Sequence, residues 1–259
     1  MDEPIRVALC GAGGRMGGEI AAAVAAASDL ALTAAIERPG HARLGETLAG
    51  VPLVAGLHPA ICGAQVLVDF TAPAATAELA RAAAAAGAAL LSGATGLAAG
   101  DHEALDQAAA RIPVLHAPNM SLGIALLTRL VKAAAAGLPG YDIEIVEMHH
   151  RRKLDAPSGT ALALAEAIEG VRPGLKRLAG RSGRTGERGA SEIGIHALRG
   201  GDVVGEHEVI LAGAGERIKL AHCAESRVAL VAGVLRAIRF LHGRPRGRYT
   251  MEDVLGLPG

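Results

Sequence analysis

Five titratable side chains stand in a row at His149, His150, Arg151, Arg152 and Lys153, and a Pro157-Ser158-Gly159-Thr160 turn follows shortly after. Their types limit what they can do. Histidine gains or loses a proton near neutral pH. Lysine is a point charge with a movable proton, whereas arginine cannot give its proton up. The turn opens an Ala/Leu-rich segment that stops at Gly170, and the start of a helix there offers N–H groups that suit an anion. Cations beside such a helix start describe a pocket that holds a carboxylate and keeps a proton donor next to it. The competing description is a solvated basic loop between a strand and a helix. Adjacent histidines on extended backbone point to opposite faces, which argues against one metal shared by both, and no metal site is expected.

The elements that must position this run can be read on either side of it. Ile143, Ile145 and Val146 form a strand ending near Met148. At the amino end, Ile5 to Cys10 is a short apolar strand, followed by Gly11-Ala12-Gly13-Gly14-Arg15-Met16-Gly17 and an Ala-rich helix with Ile20 and Val24 on one face. Strand, glycine turn and helix are the context of a dinucleotide site, where glycines let the backbone approach a pyrophosphate at the helix start. The strict G-x-G-x-x-G is not met, because Met16 takes its last position; the match is G-x-x-G-x-x-G through Gly11, Gly14 and Gly17. Leu30 to Ile36 reads as a second strand with Glu37-Arg38 at its tip. The acid there suits the ribose hydroxyls of NAD and the arginine the 2′-phosphate of NADP. Residues 38–64 read as an irregular connection with a minor strand at Val51–Val54. Val66–Phe70, Ala88–Leu91 and Val114–Ala117 continue the series, the last of them closing it, and Thr71-Ala72-Pro73 begins a helix running to about Ala86. Strands alternating with helices mean a parallel doubly wound sheet whose ligands lie off the carboxyl ends. Gly11–Met16, Glu37-Arg38, Gly93-Ala94-Thr95 and Ala117-Pro118-Asn119-Met120 should therefore line one crevice.

Ser121 caps a helix to about Ala136 that leads into a second domain. Arg181 to Arg188 is polar and glycine-rich and reads as a mobile, solvated loop. Ile193–Leu198, Val203–Leu211 and Ile218–His222 join 143–148 in a four-stranded sheet, with His196, His207 and His222 as hydrogen-bonded sheet residues. Arg227 to Leu241 is a final amphipathic helix. Lys+Arg and Asp+Glu are 26 each and aromatic residues only 2 %, so neither a nucleic-acid field nor a base-stacking platform is present. Cys10, Cys62 and Cys223 are odd in number and far apart, which fits a reducing cytoplasm. The acidic start is no signal peptide, the Ala runs at 82–86 and 133–136 read as helix interiors, and no apolar run suffices for a bilayer.

The run Glu147-x-His149-His150-x-x-Lys153-x-Asp155-x-Pro157-Ser158-Gly159-Thr160-Ala161 closely resembles the signature of the dihydrodipicolinate reductases of lysine and diaminopimelate biosynthesis, at ten positions in fifteen residues. The resemblance extends from Ile5 to about Leu257, and Arg181 to Arg188 is similar to a family segment near the active site. It implies an α/β protein with a Rossmann-like dinucleotide-binding domain (residues 1–120 and 230–259) and an α+β substrate-binding and oligomerisation domain with a four-stranded open sheet (residues 121–229). It further implies NAD(P)H-dependent reduction, with loss of water, of 4-hydroxy-tetrahydrodipicolinate, a small cyclic dicarboxylate. His149 and Lys153 would transfer the proton, and His150, Gly159 and Thr160 would bind carboxylate. NADH or NADPH would take pyrophosphate contacts from residues 11–16 and adenosine contacts from 37–38, with 93–95 and 117–120 flanking the nicotinamide. Ala94 and Met120 depart from the Thr and Phe of many members. A homotetramer assembled through the central sheets is implied as well. Two rivals stand beside this reading. Another two-domain dehydrogenase should lack the HHxxK and PSGT pair, and a nucleotide-sensing module would carry an interaction segment, which the sequence does not display.

Overall fold

The computed structural model describes residues 3–57, 61 and 63–256. Cys62, Met1-Asp2 of the acidic start and Leu257 of the tail lie outside the described residues. The chain divides into two compact units, Met1–Ser121 with Leu230–Gly259, and Leu122–Ala229.

In chain order the first unit begins with β1 (Ile5–Cys10), α1 (Arg15–Ala26), β2 (Leu30–Glu37), β3 (Thr47–Leu48), β4 (Val51–Ala55), β5 (Val66–Asp69), α2 (Thr76–Ala86), β6 (Ala89–Ser92), α3 (Ala99–Ala109) and β7 (Pro113–His116). The second unit holds α4 (Leu122–Gly137), β8 (Asp142–His149), α5 (Gly159–Val171), β9 (Lys176–Ala179), β10 (Glu192–Arg199), β11 (Gly205–Gly213) and β12 (Glu216–Ala224). α6 (Val228–Leu241) spans the division, and β13 (Gly247–Tyr249) and α7 (Met251–Leu255) complete the first unit.

The first unit's sheet has the order β13-β7-β6-β5-β1-β2-β4-β3, parallel throughout except for the β3–β4 pair. β5 and β6 are buried at every residue, as strands covered on both faces must be. Leu67, Leu79, Leu90 and Leu105 share one core with Ala80, Ala83 and Ala108. Small side chains let the helices lie close to the sheet, and this replaces the missing aromatic bulk. Each large apolar side chain fully buried there contributes roughly 1.5–3 kcal/mol. Val114–Ala117 does not close the sheet as the sequence suggests: β13 pairs beyond β7. Nor is α6 the last helix, because α7 follows with a Thr250–Asp253 capping box. Pro73–Ala75 is a 3-10 turn, and α2 proper starts at Thr76.

The second unit's sheet has five strands, in the order β12-β11-β8-β10-β9, where the sequence suggests four. The unrecognised strand, β9, is a short exposed edge of Lys-Arg-Leu-Ala. β8, β10 and β9 run parallel, and β11 is antiparallel to both β8 and β12. Ile143, Ile145, Ile193, Val209 and Leu211 pack with Val131, Leu164 and Ile168 of α4 and α5. The Arg181–Arg188 segment is not the free loop suggested by its composition. Arg181 and Arg188 both bond the Glu144 carboxylate, Arg181 also reaches Glu192, and Arg188 reaches Asp142 and three backbone carbonyls. The six residues between the two arginines are exposed, and the arginines themselves are partly buried. Among the described residues no helix is long and apolar enough to cross a membrane.

Candidate active site

In the first unit the strand ends fall in one row. Cys10 is in register with Ile36 and with Asp69, Asp69 with Ser92, and Ser92 with His116. Glu37, Gly11, Phe70, Gly93 and Ala117 therefore all leave the sheet at the same edge. The strand order reverses between β1 and β5, the point where an open α/β sheet takes its ligand. Two glycines of the turn are required by shape. Gly11 has φ +78°, and a Cβ there would stand 2.5 Å from the Phe70 carbonyl oxygen; one on Gly17 would stand 2.2 Å from that of Gly11. Gly14 caps α1 without any side-chain hydrogen bond, so the helix start keeps its N–H groups for an anion. Glu37 accepts from the Gly13 and Arg38 N–H groups, at 3.2 and 3.0 Å. A cavity of about 720 Å³ opens beside it, lined by Gly11, Gly14, Glu37, Arg38, Thr71 and Leu79 among others. Residues 93–95 and 117–120 do not line this cavity. The side chains of Ala12, Ala94 and Met120 are buried, so these positions can offer a ligand only backbone. Asp69, which sequence reasoning overlooked, is fully buried between β1 and β6 and accepts from the Thr71 N–H, the Thr71 hydroxyl and the Ser92 hydroxyl. It fixes the loops at the switch point.

In the second unit, β8 alternates between its two faces. Ile143, Ile145 and Glu147 lie on the buried face, and His149 continues that row. The neighbouring strands bring polar groups to the same place: on β10 buried Ile193 and Ile195 are followed, past exposed Ala197, by partly buried Arg199, and on β11 buried Leu211 and Val209 lead to buried His207. Glu147 lies opposite His207, and Arg199 opposite His149. A polar group thus caps the apolar core at one end of the sheet. Glu147 has a fully buried side chain. Its Oε2 accepts from His149 Nδ1 at 2.6 Å and from Arg199 at 2.7 Å; its Oε1 accepts from Arg199 at 2.8 Å and from the Ser158 N–H at 3.0 Å. Burial alone would raise this carboxyl's pKa, but the bonds from Arg199, His149 and Ser158 outweigh it and hold the pKa below the ordinary glutamate value.

Ser158 is the N-cap of α5. Its Oγ accepts from the Ala161 N–H at 3.1 Å and lies 3.0 Å from His207 Nε2. Burial, and then the nearby His149, push the His207 pKa down to about 4, so this ring is neutral at physiological pH. The two rings meet edge to face with centroids 5.2 Å apart. Lys153 pairs with Asp155 at 2.9 Å and is one-fifth exposed; this bond lowers the Asp155 pKa. Arg151 and Arg152 are exposed, and Arg152 pairs with Asp202. Of the basic run, then, His149 and Lys153 are turned inward. The buried Nδ1 of His150 has no partner among the described residues, which leaves it a polar atom for a ligand. Gly159 and Thr160 form the first turn of α5. Sequence reasoning passed over Glu147, Arg199, His207 and Ser158 as parts of the site. The signal for Glu147 was available: a carboxylate in step with Ile143 and Ile145 must be buried and therefore paired. Among the described residues no cluster of three His, Cys, Asp or Glu side chains could hold a metal ion.

A parallel sheet with a glycine turn at its switch point and an acid at the next strand tip defines the nucleotide-binding unit of a nicotinamide-dependent oxidoreductase. The chain belongs to the dihydrodipicolinate reductase family: the model of that family's N-terminus matches residues 5–120 and that of its C-terminus residues 123–255. A 4-hydroxy-tetrahydrodipicolinate reductase of Anaeromyxobacter sp. is 49 % identical over 98 % of either chain, and one of Nitrosomonas europaea is 44 % identical over 98 % of this chain and 99 % of its own. Among solved structures, a dipicolinate-bound dihydrodipicolinate reductase from Paenisporosarcina sp. TG-14 is similar, with a TM-score of 0.79, 27 % identity, and coverage of 96 % of this chain and 99 % of that one. GenD2 of gentamicin A biosynthesis, solved with NAD, shares the fold at 17 % identity and a TM-score of 0.63.

Proposed function

We propose that this protein reduces 4-hydroxy-tetrahydrodipicolinate to tetrahydrodipicolinate, with loss of water, using NADH or NADPH in lysine and diaminopimelate biosynthesis. The observation that carries the reading is the family's fifteen-residue signature lying across the end of β8 and the start of α5, with inward-facing His149 and Lys153 beside a helix N-terminus. The first unit fits the cofactor, because its turn admits no Cβ at Gly11 or Gly17 and α1 has no side-chain cap. Residues 11–16 would hold the pyrophosphate, Glu37 the ribose hydroxyls and Arg38 a 2′-phosphate, with Gly93, Ala94, Thr95, Ala117, Pro118, Asn119 and Met120 around the nicotinamide. The bound cofactor supplies the hydride.

The chain's own residues do the rest. Gly159, Thr160 and His150 take a substrate carboxylate at the start of α5, where N–H groups and helix dipole favour an anion. His149 Nε2 and Lys153 Nζ hold or move the proton; Arg151 and Arg152 cannot. The open face of the five-stranded sheet, with half-buried Val146, Met148 and Ile210 and half-exposed Leu198, supports assembly into a homotetramer through this sheet, to be checked by analytical ultracentrifugation. The free thiols of Cys10 and Cys223 suit a cytoplasmic enzyme. The deciding experiment is oxidation of NADH and NADPH followed in the presence of freshly generated product of the preceding synthase. No oxidation with that product, while the cofactors bind, would overturn the reading.

A further inference from the structure

The geometry points to Glu147, clamped by Arg199, as the positioning residue that sets the tautomer of His149 and ties it to the start of α5. The inference rests on the reductase reading above, and deepens it. Four donors converge on the two carboxylate oxygens, two on each: His149 Nδ1 and Arg199 on Oε2, Arg199 and the Ser158 N–H on Oε1. A carboxylate so engaged is an acceptor only. The proton between it and the imidazole therefore belongs to Nδ1, and in the neutral ring the lone pair belongs to Nε2. That nitrogen faces the backbone of Gly205 on β11, where a Cβ would stand 3.0 Å away; glycine leaves it room. The groups that face His149 are Glu147 on its own strand, Arg199 on β10, and neutral His207 on β11.

The same carboxylate holds the N–H of the residue that caps α5. One buried group therefore fixes both the proton-transfer side chain and the helix start expected to take the substrate's carboxylate. Ser158 secures the opposite side through Ala161 and His207. Arg199 reaches Glu147 from β10 and also donates to the Asp155 carbonyl, at 2.6 Å, so the loop carrying Lys153 is joined to the same anchor. Arg199 is a clamp: its fork matches a carboxylate in two parallel bonds, a geometry that lysine cannot supply.

The test is a two-bond ¹H–¹⁵N correlation spectrum of the full-length ¹⁵N-histidine-labelled protein at alkaline pH, without substrate, with the His149 signal assigned by its loss in His149→Asn. In the parent the proton should reside on Nδ1. In Glu147→Gln the amide can donate as well as accept, and the Nε2–H form should gain population. In turnover, kcat should fall about 100-fold, the low end of what a positioned proton donor contributes, with substrate KM changing far less. Should Glu147→Gln fail to fold, Glu147→Gln/Arg199→Met removes both charges together and should show the same change of tautomer. A parent with Nε2–H, or a variant with an unchanged tautomer, overturns the inference. The spectrum needs no substrate, so a parent that does not turn over would sink the reductase reading and leave this result to be decided separately.

Discussion

Replacing Arg199 with methionine keeps much of the side chain's apolar length but deletes both guanidinium bonds to Glu147, at 2.7 and 2.8 Å. Glu147 is left with His149 Nδ1 and the Ser158 N–H as its donors. Removing one partner of a buried ion pair costs about 3–5 kcal/mol, because the other charge stays buried and uncompensated. Arg199 is 20 % exposed, so water can enter the vacated place, and the lower end applies: about 3 kcal/mol. With a urea slope of about 2 kcal/mol/M, the midpoint of the transition that unfolds this pair should fall by about 1.5 M. Far-UV circular dichroism is the suitable probe, since the chain has no Trp. The pH dependence has a definite sign. The Glu147 pKa is depressed below its ordinary value of 4.5 in the fold, so its contribution is fully present above about pH 4.5 and is lost as pH falls through the folded-state value. The gap between parent and variant should narrow over that acid range. A loss under about 1 kcal/mol at neutral pH, or a gap indifferent to acid, would refute the picture of a buried, charged Glu147–Arg199 pair.

Three further outcomes are expected. Lys153→Ala should lower kcat by about 10²–10⁴-fold while NADH binding, measured by calorimetry, changes little; normal turnover would remove Lys153 from the mechanism. Arg38→Ala should weaken NADPH selectively, by about tenfold or more for one lost charge-assisted contact of 1.5–3 kcal/mol, and equal weakening of NADH would contradict the 2′-phosphate role. Gly205→Ala should reduce kcat while leaving cofactor affinity as it was, because its Cβ would press on His149 Nε2; unchanged kinetics would show that the ring can step aside.

Local signals made most of the first unit legible. Continuous apolar runs gave β1, β5 and β6, and the glycine turn gave its functional edge, because a short parallel strand buried on both faces has no polar alternation to confuse it. Short pieces held by their neighbours escaped. β13 is three residues long and forms because β7 offers an open edge. β9 is polar and exposed, with nothing in Lys-Arg-Leu-Ala to distinguish it from a loop. The Arg181–Arg188 segment looked mobile because its glycines and charges were visible, whereas the acids that hold it, Asp142, Glu144 and Glu192, lie on other elements. In the candidate site the residues expected to meet substrate were readable from type and spacing. Their supports were harder to read, since Arg199 and His207 come from strands whose register with β8 no local pattern specifies.

The two units use the same device, a strand end feeding a helix start, but finish it differently, and the difference follows from what each start is expected to hold. α1 begins at Gly14 with no side chain to satisfy its first N–H groups; a pyrophosphate can reach them all, at the cost of a helix end that depends on solvent or ligand. α5 begins at Ser158, whose hydroxyl takes the Ala161 N–H, one residue beyond Gly159 and Thr160. An N-cap of this kind is worth about 1 kcal/mol, so the start of α5 is held by the protein's own groups, and Glu147 holds the Ser158 N–H from the other side. A small carboxylate needs one or two donors held still; a pyrophosphate needs a wide, open row of them. Exchanging the two solutions would harm both units: a serine cap at position 14 would compete for the N–H groups a pyrophosphate needs, and a glycine at 158 would keep the backbone bond to Glu147 but lose the hydroxyl that joins His207 and the Ala161 N–H.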